Sequence, residues 1–431
     1  MNSSKRRVND GYELSRKMYI VEALFEYLIS ILSSGAYLAK LTTTVGISDS
    51  MTAMLSAITS LSSLFQIVSI YLAHKTPVKR WVVPLQFFTT LLFASLYLIP
   101  LLGIRKNIAL IFFIVMVSAN ALKSITSPIK INWFLSLVPS HERGMYRSKL
   151  TIVSVIFGTL FTLGASSVID SFEKKGDLNG AFATLTAALL VLVVLHIIPL
   201  ILSKEKHEIV EKRESPFCSV RSLFSNRYYR GALIVFTIHS VASSVTMPYL
   251  STYQINELGF SMTFIAAMDV ALNLIWIAAL FLLGKLSLKK SNASMLSLAY
   301  IFSFLAFTAL VFTGSSFSTI AFFTYRVMFL GYNASICVAE QSFIFECTPP
   351  EERTSAIAIF TIFTGVTGFI CTLAVTPLFN YVQANGFTLF GYSLYAQQLL
   401  AIVSALIILF VNIAWWAFCH SIKGNLEFSD V

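Results

Sequence analysis

The chain has 431 residues, of which 56% are hydrophobic and only 12% charged, and its mean hydropathy is +0.76. A soluble protein carries about 25% charged residues. Soluble multidomain, disordered, disulfide-scaffold and nucleic-acid-binding classes are therefore excluded, leaving a polytopic membrane protein. The net charge of +10 says less than where the basic residues fall.

In chain order, Lys5, Arg6, Arg7, Arg16 and Lys17 precede the first apolar stretch, which holds Glu22 and Glu26 and lacks a small-residue cleavage pattern. It reads as an anchored helix rather than a removable signal. Apolar runs of bilayer length recur near 18–41, 50–73, 81–103, 107–137, 145–169 and 179–202. A second set follows near 230–255, 260–284, 293–313, 316–346, 353–379 and 393–420. With twelve spans, 23 Lys and Arg fall on the side of the N-terminus, and only Arg105, Lys106, Lys174 and Lys175 on the other. Basic residues favour the cytoplasmic face, so both termini are expected there, in a plasma membrane. The polar, mixed-charge stretch 203–229 contains Pro216 and reads as a cytoplasmic linker. It divides the chain into an N-terminal six-helix bundle, 1–202, and a C-terminal one, 230–431.

An offset of 210 residues aligns Pro139, Glu142, Arg143, Thr151, Ile152, Gly158, Thr162 and Leu163 with identical residues from Pro349 to Leu373. Apolar bias alone does not place Pro, Glu, Arg and Gly in step, so the halves are a parallel repeat. With the run Trp133-Phe-Leu-Ser-Leu-Val-Pro139-Ser-His-Glu-Arg143-Gly144, the chain resembles the bacterial major facilitator superfamily over nearly its full length. The resemblance implies two pseudo-symmetric six-helix bundles, all α-helical, with helices 1, 4, 7 and 10 lining a central cavity. The family's loop between helices 2 and 3 departs here: Ile70, His74 and Pro77 replace its Gly, Asp and second Gly, so that Asp's gating role does not transfer.

Ionisable residues inside spans carry the functional reading. They are Glu22, Glu26 and Lys40 in helix 1, Lys123 and Lys130 in helix 4, Asp269 in helix 8, and Arg326 and Glu340 in helix 10. Each central charge costs about 2.5–3.5 kcal/mol, so eight facing lipid would cost on the order of 20 kcal/mol, more than a fold supplies. Glu22, Glu26, Ser30, Ser33 and Tyr37 form one helical stripe; Asn120, Lys123, Ser127 and Lys130 form another; Arg326, Asn333 and Glu340 a third. Depth predicts an Asp269–Arg326 pair, and pairing of Lys130 with Glu340 or Glu26 that exchanges between states. Glu26, with Glu22, is the candidate for proton carriage. Lys123, mid-span without a carboxylate at its depth, suits an anionic substrate group; Lys130, Glu340, Arg326, Asp269, Asn333 and Tyr37 are the other substrate or gate candidates. His239 suits helix-to-helix hydrogen bonding. Trp415 and Trp416 suit interfacial anchoring.

No phosphate loop, nucleophile elbow or metal-ligand spacing is present, so no enzyme, cofactor or metal is expected. The expectation is a monomeric secondary active transporter of a small organic molecule, working by alternating access as a proton-coupled exporter. Import of a sugar or organic anion is the alternative, with a non-transporting sensor on the same fold as the rival class. The partners expected are the substrate, protons or another ion, and the bilayer, with no nucleic acid.

Overall fold

The computed structural model describes residues 11–66, 68, 78–103, 106–138, 143–205, 222–287, 289–314, 318–349, 353–389 and 391–423. The loop motif at 70–77, residues 139–142 and 350–352 of the repeated turn, and 206–221 of the expected linker lie outside these described residues. In chain order the helices are α1 Glu13–Leu32, α2 Gly35–Thr44, α3 Asp49–Leu61, α4 Lys79–Leu98, α5 Ile108–Ser136, α6 Arg143–Lys174 and α7 Leu178–Leu202. They continue with α8 Arg227–Thr246, α9 Leu250–Asn256, α10 Met262–Ser287, α11 Asn292–Val311, α12 Ser318–Glu346, α13 Arg353–Asn385 and α14 Ala396–Lys423.

Among the described residues nine helices are long and apolar enough to cross a bilayer, and α1 with α2 makes a tenth span bent by 41°. With 29 residues, α12 reaches about 43 Å at 1.5 Å per residue. Arg326, Asn333 and Glu340 dilute its apolarity without shortening it. Helix α3 and the 3-10 turn Ser62–Phe65 fall where the sequence places its second span. The nine or ten spans among the described residues are consistent with the twelve read from the sequence. One element was not anticipated: a two-stranded hairpin, β1 Phe387–Leu389 and β2 Tyr392–Leu394, between α13 and α14. Gly391 sits at φ +84° in its turn, a conformation that suits a residue without Cβ.

Two compact units form: one of α1, α2 and α4–α7, the other of α3 and α8–α14. In the first, α1 packs on α6 and α7, and α4 on α5 and α7. One end of this unit is stitched by polar contacts. The Lys204 amide donates to Ser15 Oγ at 2.9 Å, and Lys79 Nζ donates to the carbonyls of Ile201 and Ser203. The Glu205 carboxylate accepts from the amides of Val78 and Lys79 at 2.6 and 3.2 Å, placing negative charge at the positive start of α4. The starts of α1 and α4 therefore lie beside the end of α7, which sets the height of everything further along.

In the second unit α11 packs on α12 and α14, α8 on α13 and α14, and α10 on α12. Trp415 corrects an expectation. It is 1% exposed in the core, with Nε1 donating to Ser297 Oγ at 3.0 Å, whereas Trp416 beside it is exposed. Helical rotation of 100° per residue aims adjacent tryptophans in different directions, and here it leaves Trp415 in the core and Trp416 exposed.

The repeat is visible in how each unit packs. A Cβ on Gly158 would meet Tyr27 of α1, and a Cβ on its counterpart Gly368 would meet Ser244 Oγ of α8. Tyr37 donates to the Thr162 carbonyl at 2.6 Å, and Tyr249 to the carbonyl of the equivalent Thr372 at 3.4 Å. Both close contacts join the first helix of a repeat to its fifth.

Gly365 is tighter still, because its Cβ would come within 2.6 Å of the Ser60 backbone carbonyl of α3. Gly365→Val is expected to cost about 1–3 kcal/mol by overpacking, read as a lower unfolding temperature in detergent. Gly164→Val, with nothing within 4 Å of its Cβ, is expected to leave that temperature nearly unchanged.

Candidate functional site: an ammonium shared by two carboxylates

Glu22 and Glu26 lie one turn apart on α1 and so share a face. Lys130 reaches them from α5, two residues after the in-helix Pro128. Its ammonium donates to Glu22 Oε1 at 2.7 Å and also to Glu26 Oε2. Glu22 is 0% exposed and the Lys130 side chain 4%, whereas Glu26 is 22% exposed. One carboxylate is thus sealed and the other stays accessible.

A third helix joins them. His196 of α7, itself fully buried, places Nε2 2.9 Å from Glu22 Oε1. A carboxylate only accepts, so Nε2 carries the hydrogen and donates. The sequence reading passed over His196, a lone ionisable residue in the apolar run Leu178–Leu202. Its eight-residue separation from Lys204, against the seven between Ser15 and Glu22, was a usable signal once Ser15 and Lys204 were known to touch.

Of the other expected site residues, Lys123 lies on the same helix as Lys130 and acts electrostatically on Glu26. It has no ion pair among the described residues, and its ammonium sits 5.8 Å from the centre of the Phe93 ring. Tyr37 spends its hydroxyl on α6, against the Thr162 carbonyl and Ser166 Oγ, both at 2.6 Å. Lys40 pairs with Glu173 at 2.5 Å.

In the second unit Arg326 Nη2 donates to Asp269 Oδ1 at 2.7 Å, joining α12 to α10; both side chains are about one-third exposed. Asn333 and Glu340 lie half-buried along the same α12. Glu340 has no ion-pair partner within its own unit among the described residues. An aromatic ladder runs up this helix through Phe322, Tyr325, Phe329 and Tyr332, with ring centres 5.2–5.9 Å apart. Tyr332 stacks on His239 at 4.7 Å. Its hydroxyl lies 3.2 Å from His239 Nδ1, and Ser303 Oγ lies 3.1 Å from Nε2, so both ring nitrogens are taken up in helix contacts.

A second polar network, unread in the sequence, surrounds the short helix α9. Asp49 at the start of α3 accepts from Asn256 and Gln383, each at 2.8 Å, and Gln397 donates to Glu257 at 3.0 Å. Glu257 Oε2 and Gln254 Oε1 are buried without a partner among the described residues. Burial pushes the Glu257 carboxyl up to about 7; the Gln397 hydrogen bond opposes this and the Asp49 charge reinforces it.

Paired charges buried on the helices of a repeated two-unit bundle define a multi-pass membrane protein of the transporter class. The Major Facilitator Superfamily profile matches residues 19–372, and the chain belongs to that family. No curated protein sequence matches the chain. Among solved structures it is similar to a mutant of the nucleoside transporter NupG, at 12% identity and a TM-score of 0.71, covering 94% of this chain and 99% of that one. An auto-inhibited POT family peptide transporter gives 10% identity and 0.70, covering 97% and 99%. A bacterial homologue of the iron transporter ferroportin in an inward-facing state gives 16% and 0.68, covering 94% and 98%. At these identities the likeness is one of fold.

Two predictions follow from the charges. Lys130→Met strands two carboxylates and is expected to cost about 3–5 kcal/mol of stability. Adding Glu22→Gln should restore a large part of it, measured by thermal unfolding of purified protein. For Glu257, the folded-state value of about 7 exceeds the ordinary 4.5, so the folded chain holds the extra proton between them. Stability from this group is therefore present below about 4.5 and is lost as pH rises through about 7. Glu257→Gln is expected to flatten the fall of unfolding temperature over that window.

Proposed function

We propose that this transporter is a proton-coupled secondary exporter of a small amphipathic organic molecule, with Glu22, Glu26 and Lys130 as its coupling centre. The observation that carries the reading is one buried ammonium shared by two carboxylates of unequal access. A proton arriving at the more accessible Glu26 forms an O–H bond and cancels that charge. Lys130 then keeps only Glu22 as a charged acceptor, and the protonated Glu26 no longer offers its carboxylate to a donor on the substrate. Loss of the proton restores that acceptor, so proton and substrate compete for Glu26: binding of substrate expels the proton, and a proton arriving from the other side expels the substrate. The two bundles would expose this centre alternately to the two sides. The aromatic ladder beside Asn333 and Glu340 supports an amphipathic substrate. The 23-to-4 distribution of basic residues supports cytoplasmic termini in a plasma membrane.

A second reading, uptake of an organic anion, is favoured by one observation: Lys123 has no ion pair among the described residues and lies on the same helix as Lys130. In that case Lys123 is the anion contact, and Lys123→Met should abolish binding while leaving Lys130 paired.

The test is proton release from purified protein in weak buffer with a pH-sensitive dye, across a compound library, comparing wild type with Glu26→Gln. The expected result is a compound that releases protons from wild type only. In proteoliposomes loaded with that compound, an outside-acid gradient should accelerate its efflux; acceleration of its uptake would establish import instead. Compounds that bind both proteins equally, with no proton released, would overturn proton coupling and favour a uniporter or a sensor.

A further inference from the structure

The coupling centre leaves four polar atoms behind it unanswered. Glu22 Oε2, His196 Nδ1 and both side-chain amide atoms of Gln86 are buried with no hydrogen-bond partner among the described residues. Each of these three side chains is 0% exposed. The end contacts of the unit place them at one height. Gln86 lies seven residues beyond Lys79, Glu22 seven beyond Ser15, and His196 five to eight before the residues from Ile201 to Lys204 that those starts touch. The helices are mutually packed, α7 against both α1 and α4. Orphaned buried polar atoms are rare in folded proteins, because each forfeits its hydration. Four such atoms at one height offer both the donors and the acceptors that a bound water needs.

We propose that Glu22, His196 and Gln86 form an inner proton site, distinct from Glu26, in which His196 takes up a proton on Nδ1 and a bound water links it to Gln86. Uptake forms one N–H bond, turns a neutral imidazole into a cation, and changes no other bond. The charges facing His196 favour it. From α1 come Glu22 and Glu26, and from α5 come Lys130, which the two carboxylates share, and Lys123 at longer range. Helix α4 brings only the neutral Gln86 to this height, its Lys79 and Arg80 lying at its first turn. Helix α6 carries Asp170, Glu173 and Lys174 at its far end and an exposed Lys149 near its start, and the side chains of 143–148 lie outside the described residues. His196 is the one ionisable residue of α7. Neutral His196 leaves two carboxylates against the single nearby ammonium; a protonated ring balances them. The water gives the Nδ1 hydrogen an acceptor and Gln86 a partner, and Glu22 Oε2 can accept its remaining hydrogen.

In the cycle proposed above, this second site makes two protons available per turn, and that consequence rests on the transport reading. The site itself does not, and its experiment needs no substrate. Purified full-length protein with ring-15N histidine is titrated from about pH 8 to about pH 5, the range in which imidazoles change charge, with infrared difference spectra recorded alongside the proton count. His196→Gln, which keeps a donor for Glu22, is expected to take up one proton fewer and to lose one isotope-sensitive imidazolium band. Equal proton uptake and unchanged bands would overturn the site. Should His196→Gln fail to fold, Gln86→Leu retains the histidine and is expected to move the midpoint of that band; an unmoved midpoint counts against the site equally. The dye assay separates the two proposals. If ligand-driven proton release survives unreduced in His196→Gln but is lost in Glu26→Gln, the second proton per turn falls and the transport reading stands, while the titration alone decides the inner site. If the His196 band titrates but no compound ever releases protons, the inner site stands and coupling falls.

Discussion

Inside a bilayer a charged side chain has to be answered by its own fold, because lipid tails offer neither counter-ion nor hydrogen bond. In this chain the answer is built around Lys130, whose ammonium ties α5 to two carboxylates of α1, while Glu22 in turn binds His196 of α7. Three helices are thereby held in rotation and height by groups that would each be costly alone. A buried ion pair is weak evidence for stability as such, since desolvation offsets much of the attraction. In the proposed coupling cycle its value lies in being divisible: one acceptor is neutralised while the other keeps the lysine in place.

The repeat shows which parts of the structure are scaffold and which are not. Close packing is duplicated: Gly158 and Gly368 each admit the first helix of their own repeat, and Tyr37 and Tyr249 donate to the same repeated threonine carbonyl. The charges are not duplicated. At the offset of 210, Lys130 stands opposite Glu340, Glu22 opposite Ala232, Glu26 opposite Phe236, Gln86 opposite Leu296 and His196 opposite Leu406. Packing constrains both halves alike because both must bury the same helical surfaces. An ion cluster needs its partners in only one half, so departures from symmetry collect where the buried charges are.

Much of this was legible before any coordinates. Helix spacing put Glu22 and Glu26 on one face of their helix, and Lys123 and Lys130 on one face of theirs, and the expense of lipid exposure turned those faces inward. Asp269 and Arg326 were matched by depth alone and do meet. Other features left no local trace. His196 is one polar residue in a helix so apolar that it has almost no polar face. Asp49, Glu257, Gln383 and Gln397 come from four separate stretches of chain, and nothing in their spacing announces the network they form. Trp415 and Trp416 looked alike in sequence, and only packing separated the buried ring from the exposed one.

The sequence by itself determined the class, the helical membrane fold, the repeat and the faces that carry charge. These follow from hydropathy, helical period and the cost of placing ions in hydrocarbon, all of which act within one segment. Only the tertiary structure decided which charge meets which: that Lys130 serves both Glu22 and Glu26, that His196 meets Glu22, and that α3 packs with the helices that follow residue 227. Such pairings depend on how helices pack sideways. A helix fixes the angles among its own side chains, but its neighbours and its rotation toward them are set by many contacts from distant parts of the chain.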